Sequence, residues 1–210
     1  MLVGRRMTKD PKTVSPEDTL ARAAGIMREL RINHLPVVEG GKLVGILTDT
    51  DLRNVSLTGE PEAGGARPPD RRVREVMKTD VWSLTPEDAV EDALLIIRRK
   101  RFGALPVLSG DRLVGIITKI DLLNAVIDVL NLEEVGVRIE VSFPRSMDRF
   151  EELMSSLAGM SVKVRSCIVT PDEDSDRMTA LIRLDTIEGQ KVISALRAKG
   201  FDVPGRAELS

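Results

Sequence analysis

Apolar residues along this chain fall into three rhythms, and each predicts a different element. Leu20, Ala23, Ala24 and Met27, and again Val90, Ala93, Leu94 and Ile97, follow the i, i+3, i+4, i+7 spacing that lines one face of an amphipathic helix. Ahead of them, Ser15-Pro16-Glu17-Asp18 and Thr85-Pro86-Glu87-Asp88 offer a hydroxyl cap, a proline for the first helical position and acids for the first turn. Both helices are therefore predicted to start there. The second rhythm is the short apolar run: Leu35-Pro36-Val37-Val38 and Leu105-Pro106-Val107-Leu108, then Leu43-Val44-Gly45-Ile46-Leu47 and Leu113-Val114-Gly115-Ile116-Ile117. Runs of this length suit buried strands, and Glu39-Gly40-Gly41-Lys42 and Ser109-Gly110-Asp111-Arg112 between them suit hairpin turns. The third rhythm is strict alternation. Val137, Ile139, Val141 and Phe143 are separated by Arg138, Glu140 and Ser142, which predicts a half-buried strand.

The first two rhythms occur twice at an offset of 70 residues. Met7 through Asn54 aligns with Met77 through Asn124 without a gap, so one supersecondary unit is used twice. Each copy reads as a short extended segment (Thr13-Val14 or Ser83-Leu84), a helix, two strands and a second helix. A β-α-β-β-α unit leaves one sheet face poorly covered, so the two copies are expected to pack as a pair. Residues 57–72 are rich in Gly and Pro and read as a flexible linker. Residues 122–132 are apolar on two sides, as in a helix that crosses between domains or meets its twin in a dimer.

The third rhythm opens a different unit. After the alternating strand come an amphipathic helix over residues 145–159, expected to bury Met147, Phe150, Met154 and Leu157, and a strand over 162–170. An acidic turn, an alternating strand through Met178, Ala180, Ile182 and Leu184, and a helix carrying Val192, Ile193 and Leu196 follow. Phe201 to Val203 is expected to begin a last short strand. That order, β-α-β-β-α-β, is the split arrangement of ferredoxin-like sandwiches. The fold class is α/β in the α+β sense, with domains over 1–56, 73–132 and 133–210.

Composition narrows the function. Net charge is −2 with no long basic face, so nothing favours nucleic acid or an anionic membrane. One cysteine, Cys167, excludes an intrachain disulfide and points to a reducing, cytoplasmic setting; no leader and no apolar run of roughly 18 residues is seen. With His34 the only histidine, and with no P-loop, metal cluster or nucleophile motif, an enzyme is not expected. Aromatic residues number four Phe, one Trp and no Tyr, so a ligand pocket should be walled by aliphatic side chains and backbone.

The candidate chemistry lies where the second apolar run of each copy ends in Thr-x-x-Asp, at Thr48 with Asp51 and at Thr118 with Asp121. This is a strand-to-helix junction, where free N–H groups favour anions while the Asp oxygens can accept both hydroxyls of a ribose. Gly45 and Gly115 in the strands would let a flat ligand approach the backbone. The competing reading makes Thr48 and Thr118 plain N-caps of a capping box.

Four features occur in the same order in both copies: the stretch Met7-Thr8-Lys9-Asp10-Pro11 with its counterpart beginning at Met77, Ser/Thr-Pro-Glu-Asp, Leu-Pro-Val, and Gly-Ile-(Leu/Ile)-Thr-x-x-Asp. On these the repeat resembles a tandem pair of CBS domains, the arrangement called a Bateman module. The C-terminal unit resembles an ACT domain, on topology and position more than on motif. The combination is similar to the acetoin-utilisation regulatory proteins of bacteria and archaea.

The resemblance implies a regulatory protein that senses adenosine-containing ligands (AMP, ADP, ATP or S-adenosylmethionine) and has no catalytic cofactor. The signal would pass to an ACT-like dimer or a regulated partner protein. It implies that Asp51 and Asp121 hold ribose hydroxyls, with Thr48 and Thr118 near ribose or phosphate. The base pocket would comprise Val14, Ser15, Ile32, Asn33, His34 and Pro36 in the first copy, and Leu84, Thr85, Phe102, Gly103, Ala104 and Pro106 in the second. His34 is either a phosphate contact or an exposed loop residue. Because Ala104 matches His34, and Lys119 matches Asp49, the two sites should differ, with a charged nucleotide favoured at Thr118, Lys119 and Asp121. Arg98, Arg99 and Lys100 read as the solvated face of a helix. The junction Phe143-Pro144-Arg145-Ser146-Met147 lacks the glycine of amino-acid-binding ACT domains, which favours a pairing domain over an amino-acid sensor. A ligand-independent oligomerisation or scaffold protein is the competing reading, and a homodimer is expected in either case.

Overall fold

The computed structural model describes residues 1–58, 70–205 and 208–209. Most of the expected linker, residues 59–69, lies outside the described residues. The chain divides into two compact units, Met1–Ala125 and Val126–Ser210.

In the first unit the repeat gives two matching sets of elements: α1 (Leu20–Leu30), β2 (His34–Glu39), β3 (Lys42–Thr48) and α2 (Asp49–Thr58), then α3 (Val90–Lys100), β4 (Ala104–Ser109), β5 (Arg112–Thr118) and α4 (Lys119–Leu130). A further strand, β1 (Thr8–Lys9), precedes them. Gly40 and Gly41, at φ +55 and +82, turn the chain between β2 and β3. All five strands join one antiparallel sheet in which β1, β5, β3 and β2 follow one another and β4 pairs with β5. The extended segments at Val14 and Leu84 are single parallel bridges to Val37 and Val107, shorter than the strands expected there.

Each copy's leader crosses to the other copy. Strand β1 pairs with β5 of the second copy, Thr8 opposite Ile116, and Lys78 bridges to Ile46 of the first. Val3 is fully buried among Leu84, Val90, Leu105 and Ile117, while Val73 is fully buried among Val14, Leu20, Leu35 and Leu47. Burying such a side chain stabilises by about 1.5–3 kcal/mol, so the exchange matters to the fold.

The exchange corrects two expectations. The helices begin at Leu20 and Val90 rather than at Pro16 and Pro86. Ser15-Pro16-Glu17-Asp18 is a turn, closed by Asp18 Oδ2 accepting from the Ser15 N–H at 2.8 Å, and Thr85 with Asp88 does the same at 2.6 Å. Carbonyls of each turn are taken by the incoming leader: the Val73 N–H donates to Asp18 O and the Val3 N–H to Asp88 O, each at 2.9 Å. The first helical N–H groups, of Leu20 and Val90, in turn donate to Arg71 O and Met1 O. Gly45 and Gly115 also have a different use from the one expected. A Cβ on Gly45 would lie 2.8 Å from Met77 Sδ, and one on Gly115 would lie 2.3 Å from Met7 Sδ. What approaches the strand backbone is the exchanged leader.

The second unit holds β6 (Val137–Pro144), α5 (Met147–Gly159), β7 (Lys163–Pro171), β8 (Arg177–Asp185), α6 (Gly189–Ala198) and β9 (Glu208–Leu209). They form a four-stranded antiparallel sheet in the order β7-β8-β6-β9. Val137, Ile139, Val141, Phe143, Ala180, Ile182 and Leu184 meet Leu153, Leu157, Val192, Ile193 and Leu196 in one core. Met147, expected inside, is 77% exposed: it is the first residue of α5, ahead of Phe150, Leu153, Met154 and Leu157, which pack on the core. The residues near Phe201 make only a bridge, Ser142 to Asp202, and the last strand lies further on at β9.

Candidate functional site

Both Thr-x-x-Asp motifs close into reciprocal caps. The Thr48 N–H and hydroxyl donate to Asp51 Oδ2 at 2.9 and 2.5 Å, and the Asp51 N–H returns to Thr48 Oγ1 at 3.2 Å. Thr118 and Asp121 repeat the pattern at 2.8, 2.8 and 3.3 Å. The capping reading is therefore physically realised in both copies. It engages only one carboxylate oxygen, and the other differs between the copies. Asp51 is 8% exposed and its Oδ1 lies 3.3 Å from Lys78 Nζ. Asp121 has Thr8 at the position equivalent to Lys78, and among the described residues its Oδ1 has no hydrogen-bond or ion-pair partner.

Two clefts adjoin these caps, and the leader exchange composes each from both copies. The first, about 370 Å³, brings Ile46, Thr48 and Thr50 together with the crossed leader Lys78, Asp80, Val81 and Trp82 and with Arg101, Phe102, Gly103 and Ala104. The second, about 760 Å³, brings Ile116, Thr118, Ile120 and Asp121 together with Thr8, Asp10, Pro11 and Lys12 and with Arg31, Ile32 and Asn33. Thr48 thus shares a cleft with Phe102, Gly103 and Ala104 rather than with Ile32 and Asn33, which stand beside Thr118. His34, Gly103 and Lys119 line both clefts. Among the described residues, Val14, Ser15, Pro36, Leu84, Thr85 and Pro106 line neither. Val14 and Leu84 are core residues whose N–H groups donate to Pro36 O and Pro106 O.

His34 separates the two spaces. A Cβ on Gly103 would lie 2.2 Å from His34 Nε2, so the imidazole occupies room that only glycine leaves. Burial, and next the charge of Lys119, push the His34 pKa below its ordinary value; Asp51 opposes this and Lys78 adds to it. The ring is held neutral near physiological pH.

The chain matches the family model for the CBS domain twice, over residues 3–58 and 73–128, just over half its length. It belongs to the CBS domain family. CBS-domain proteins are typically regulatory and non-catalytic. The CBS domain-containing protein YhcV of Bacillus subtilis is 35% identical over 116 residues, 55% of this chain and 79% of that protein. Other curated relatives are longer, and the chain spans 39% of one and 22% of another. Among solved structures, one assigned to acetoin utilization (AcuB) in Vibrio cholerae superposes with a TM-score of 0.55 at 32% identity, covering 63% of this chain and 95% of that one. The CBS domain pair of protein MJ0100, solved with 5′-methylthioadenosine and S-adenosyl-L-methionine, superposes with a TM-score of 0.53 at 26% identity over 60% of this chain and 95% of that one.

Residue-by-residue reading of the sequence missed what distinguishes the clefts. Lys119 and His34 line both, so neither gives the two clefts different linings. Part of the difference lies in the leaders, Lys78 against Thr8 and Trp82 against Lys12, and Lys100 from the basic run rides over the Trp82 ring, 4.5 Å from its centroid. Aligning the repeat at its fixed offset shows both pairs, but only the exchange says which motif each leader faces. Among the described residues, no group of three or more His, Cys, Asp or Glu is placed to hold a metal ion, and no helix is long and apolar enough to cross a membrane.

Proposed function

We propose that this protein is a regulatory binder of adenosine-containing ligands, with its main site in the second cleft. The unengaged Oδ1 of Asp121 carries this reading. It stands at the start of α4 in a roomy cleft, free to accept ribose hydroxyls while Oδ2 holds the cap. Lys119, Lys12 and Arg31 line the same cleft and suit a phosphate or another anionic group; Ile32, Ile116 and Ile120 suit a flat base. The ligands held by the CBS pair of MJ0100 agree with an adenosine-containing class.

Output runs, on this reading, through α4. That helix carries Lys119 and Asp121 at one end and continues to Leu130, past the boundary at Ala125. The β-α-β-β-α-β order and the strand order β7-β8-β6-β9 of the second unit support an ACT-like, ferredoxin-type domain. The absence of glycine at Pro144-Arg145-Ser146 supports pairing over amino-acid sensing. A cytoplasmic homodimer with domains over 1–56, 73–132 and 133–210 follows from the same reading.

Calorimetry with AMP, ADP, ATP and S-adenosylmethionine tests it. At least one should bind, and Asp121→Ala should weaken that binding by a hundredfold or so, since it removes two charge-assisted hydrogen bonds to a ligand. Absence of heat with all four would favour the scaffold reading, which the fully formed caps support independently.

A further inference from the structure

We infer that the first cleft is a second binding site of different selectivity. It takes a flat aromatic anion stacked on Trp82, and it does not require the ribose cis-diol. The inference extends the nucleotide reading of the second cleft to a ligand class that cleft would refuse.

Three observations carry it. Trp82 is the only tryptophan in a chain poor in aromatics, and it is 44% exposed on a cleft wall rather than in a core. An indole in that position offers a large, rigid stacking surface, and the Lys100 ammonium over the ring orients it. Second, Lys78, Arg101 and Lys119 line the same cleft, against one carboxylate, Asp80. A flat ring bearing an anionic group satisfies both the indole and the cations. Third, Asp51 offers no free oxygen: Oδ2 accepts from Thr48 and Oδ1 pairs with Lys78. A diol would have to displace that lysine, so ring and anion, rather than ribose, decide binding here. The second cleft reverses this, with Lys12 in place of Trp82 and a free oxygen on Asp121.

Because Trp82 is the sole indole, intrinsic tryptophan emission reports on the first cleft. AMP and 2′,3′-dideoxy-AMP, which lacks both ribose hydroxyls, are titrated against the full chain and against Asp121→Ala. Both ligands should change Trp82 emission with affinities within about threefold of each other, in both proteins. Lys78→Thr, which installs the residue found at position 8, should free Asp51 and make AMP about tenfold tighter than the dideoxy ligand. Unchanged emission beside Asp121-dependent calorimetric binding of AMP would overturn this inference and leave the second-cleft reading standing. A Trp82 response without Asp121-dependent heat would do the reverse. A wild-type preference for AMP over dideoxy-AMP above tenfold would overturn the diol independence.

Discussion

The same repeat builds both clefts, yet one aspartate is closed and the other open. Asp51 meets Lys78 at 3.3 Å, whereas Asp121 has a threonine, Thr8, at the matching place. One lysine therefore turns a carboxylate that could hold a ligand into half of an ion pair. The clefts differ again two turns of pattern later in the leader, where Trp82 in one answers Lys12 in the other. Duplication supplied two equal frames, and substitutions in the crossed leaders, with Thr50 against Ile120 and His34 against Ala104, made them unequal. The Thr-x-x-Asp caps, which the fold needs, stayed the same in both. The leaders could vary because only Val3 and Val73 within them are fully buried.

The comparison can be broken most directly by exchanging the closing residue. Thr8→Lys should place an ammonium beside Asp121 and weaken adenosine-ligand binding in the second cleft by roughly tenfold. Calorimetry decides this, and unchanged or tighter binding would mean that Lys78 does not close Asp51.

A smaller effect is expected from the shared wall. Gly103→Ala puts a methyl 2.2 Å from His34 Nε2, so the imidazole must swing and both clefts change shape together. Overpacking of this kind costs about 1–3 kcal/mol. The ring is partly buried and borders open clefts into which it can yield, so the lower end is expected, with a lowered unfolding midpoint and several-fold weaker binding in both clefts. If titrations showed only one cleft affected, His34 would not be a common wall.

The smallest effect is a pH dependence. The folded pKa of His34 lies below its ordinary value of 6.5, so on acidification the unfolded chain takes up a proton first. Stability present above about 6.5 should drain away as pH falls from there towards the depressed folded value. Urea midpoints compared across it should drop for the wild type and drop less for His34→Gln. Equal slopes for the two proteins would refute the buried, neutral imidazole.

Much of this architecture was legible in the chain. The i, i+3, i+4, i+7 sets placed Leu20, Ala23, Met27 and Val90, Ala93, Ile97 inside, where they are buried. The hairpin turns at Gly40-Gly41 and Gly110 stand between the expected strands. Misreadings gathered where a distant segment supplies the partner. Ser15-Pro16-Glu17-Asp18 has every local feature of a helix start. Its helix begins later because residues 71–74 take its carbonyls and cap Leu20. Gly45 looked like a ligand approach and is a passage for Met77.

By itself the amino-acid order determined the repeat, the element types within it and the Thr-x-x-Asp caps. Each of these is set by contacts within a few residues or by the period of a helix or strand. Only the tertiary structure decided that residues 7–12 serve the second motif and residues 77–82 the first. Side-chain periodicity says which face a segment buries and not which of two nearly identical sheets it joins. In the folded chain Val3 lies in the core of the second copy and Val73 in that of the first, and this long-range placement carries with it which aspartate meets the lysine.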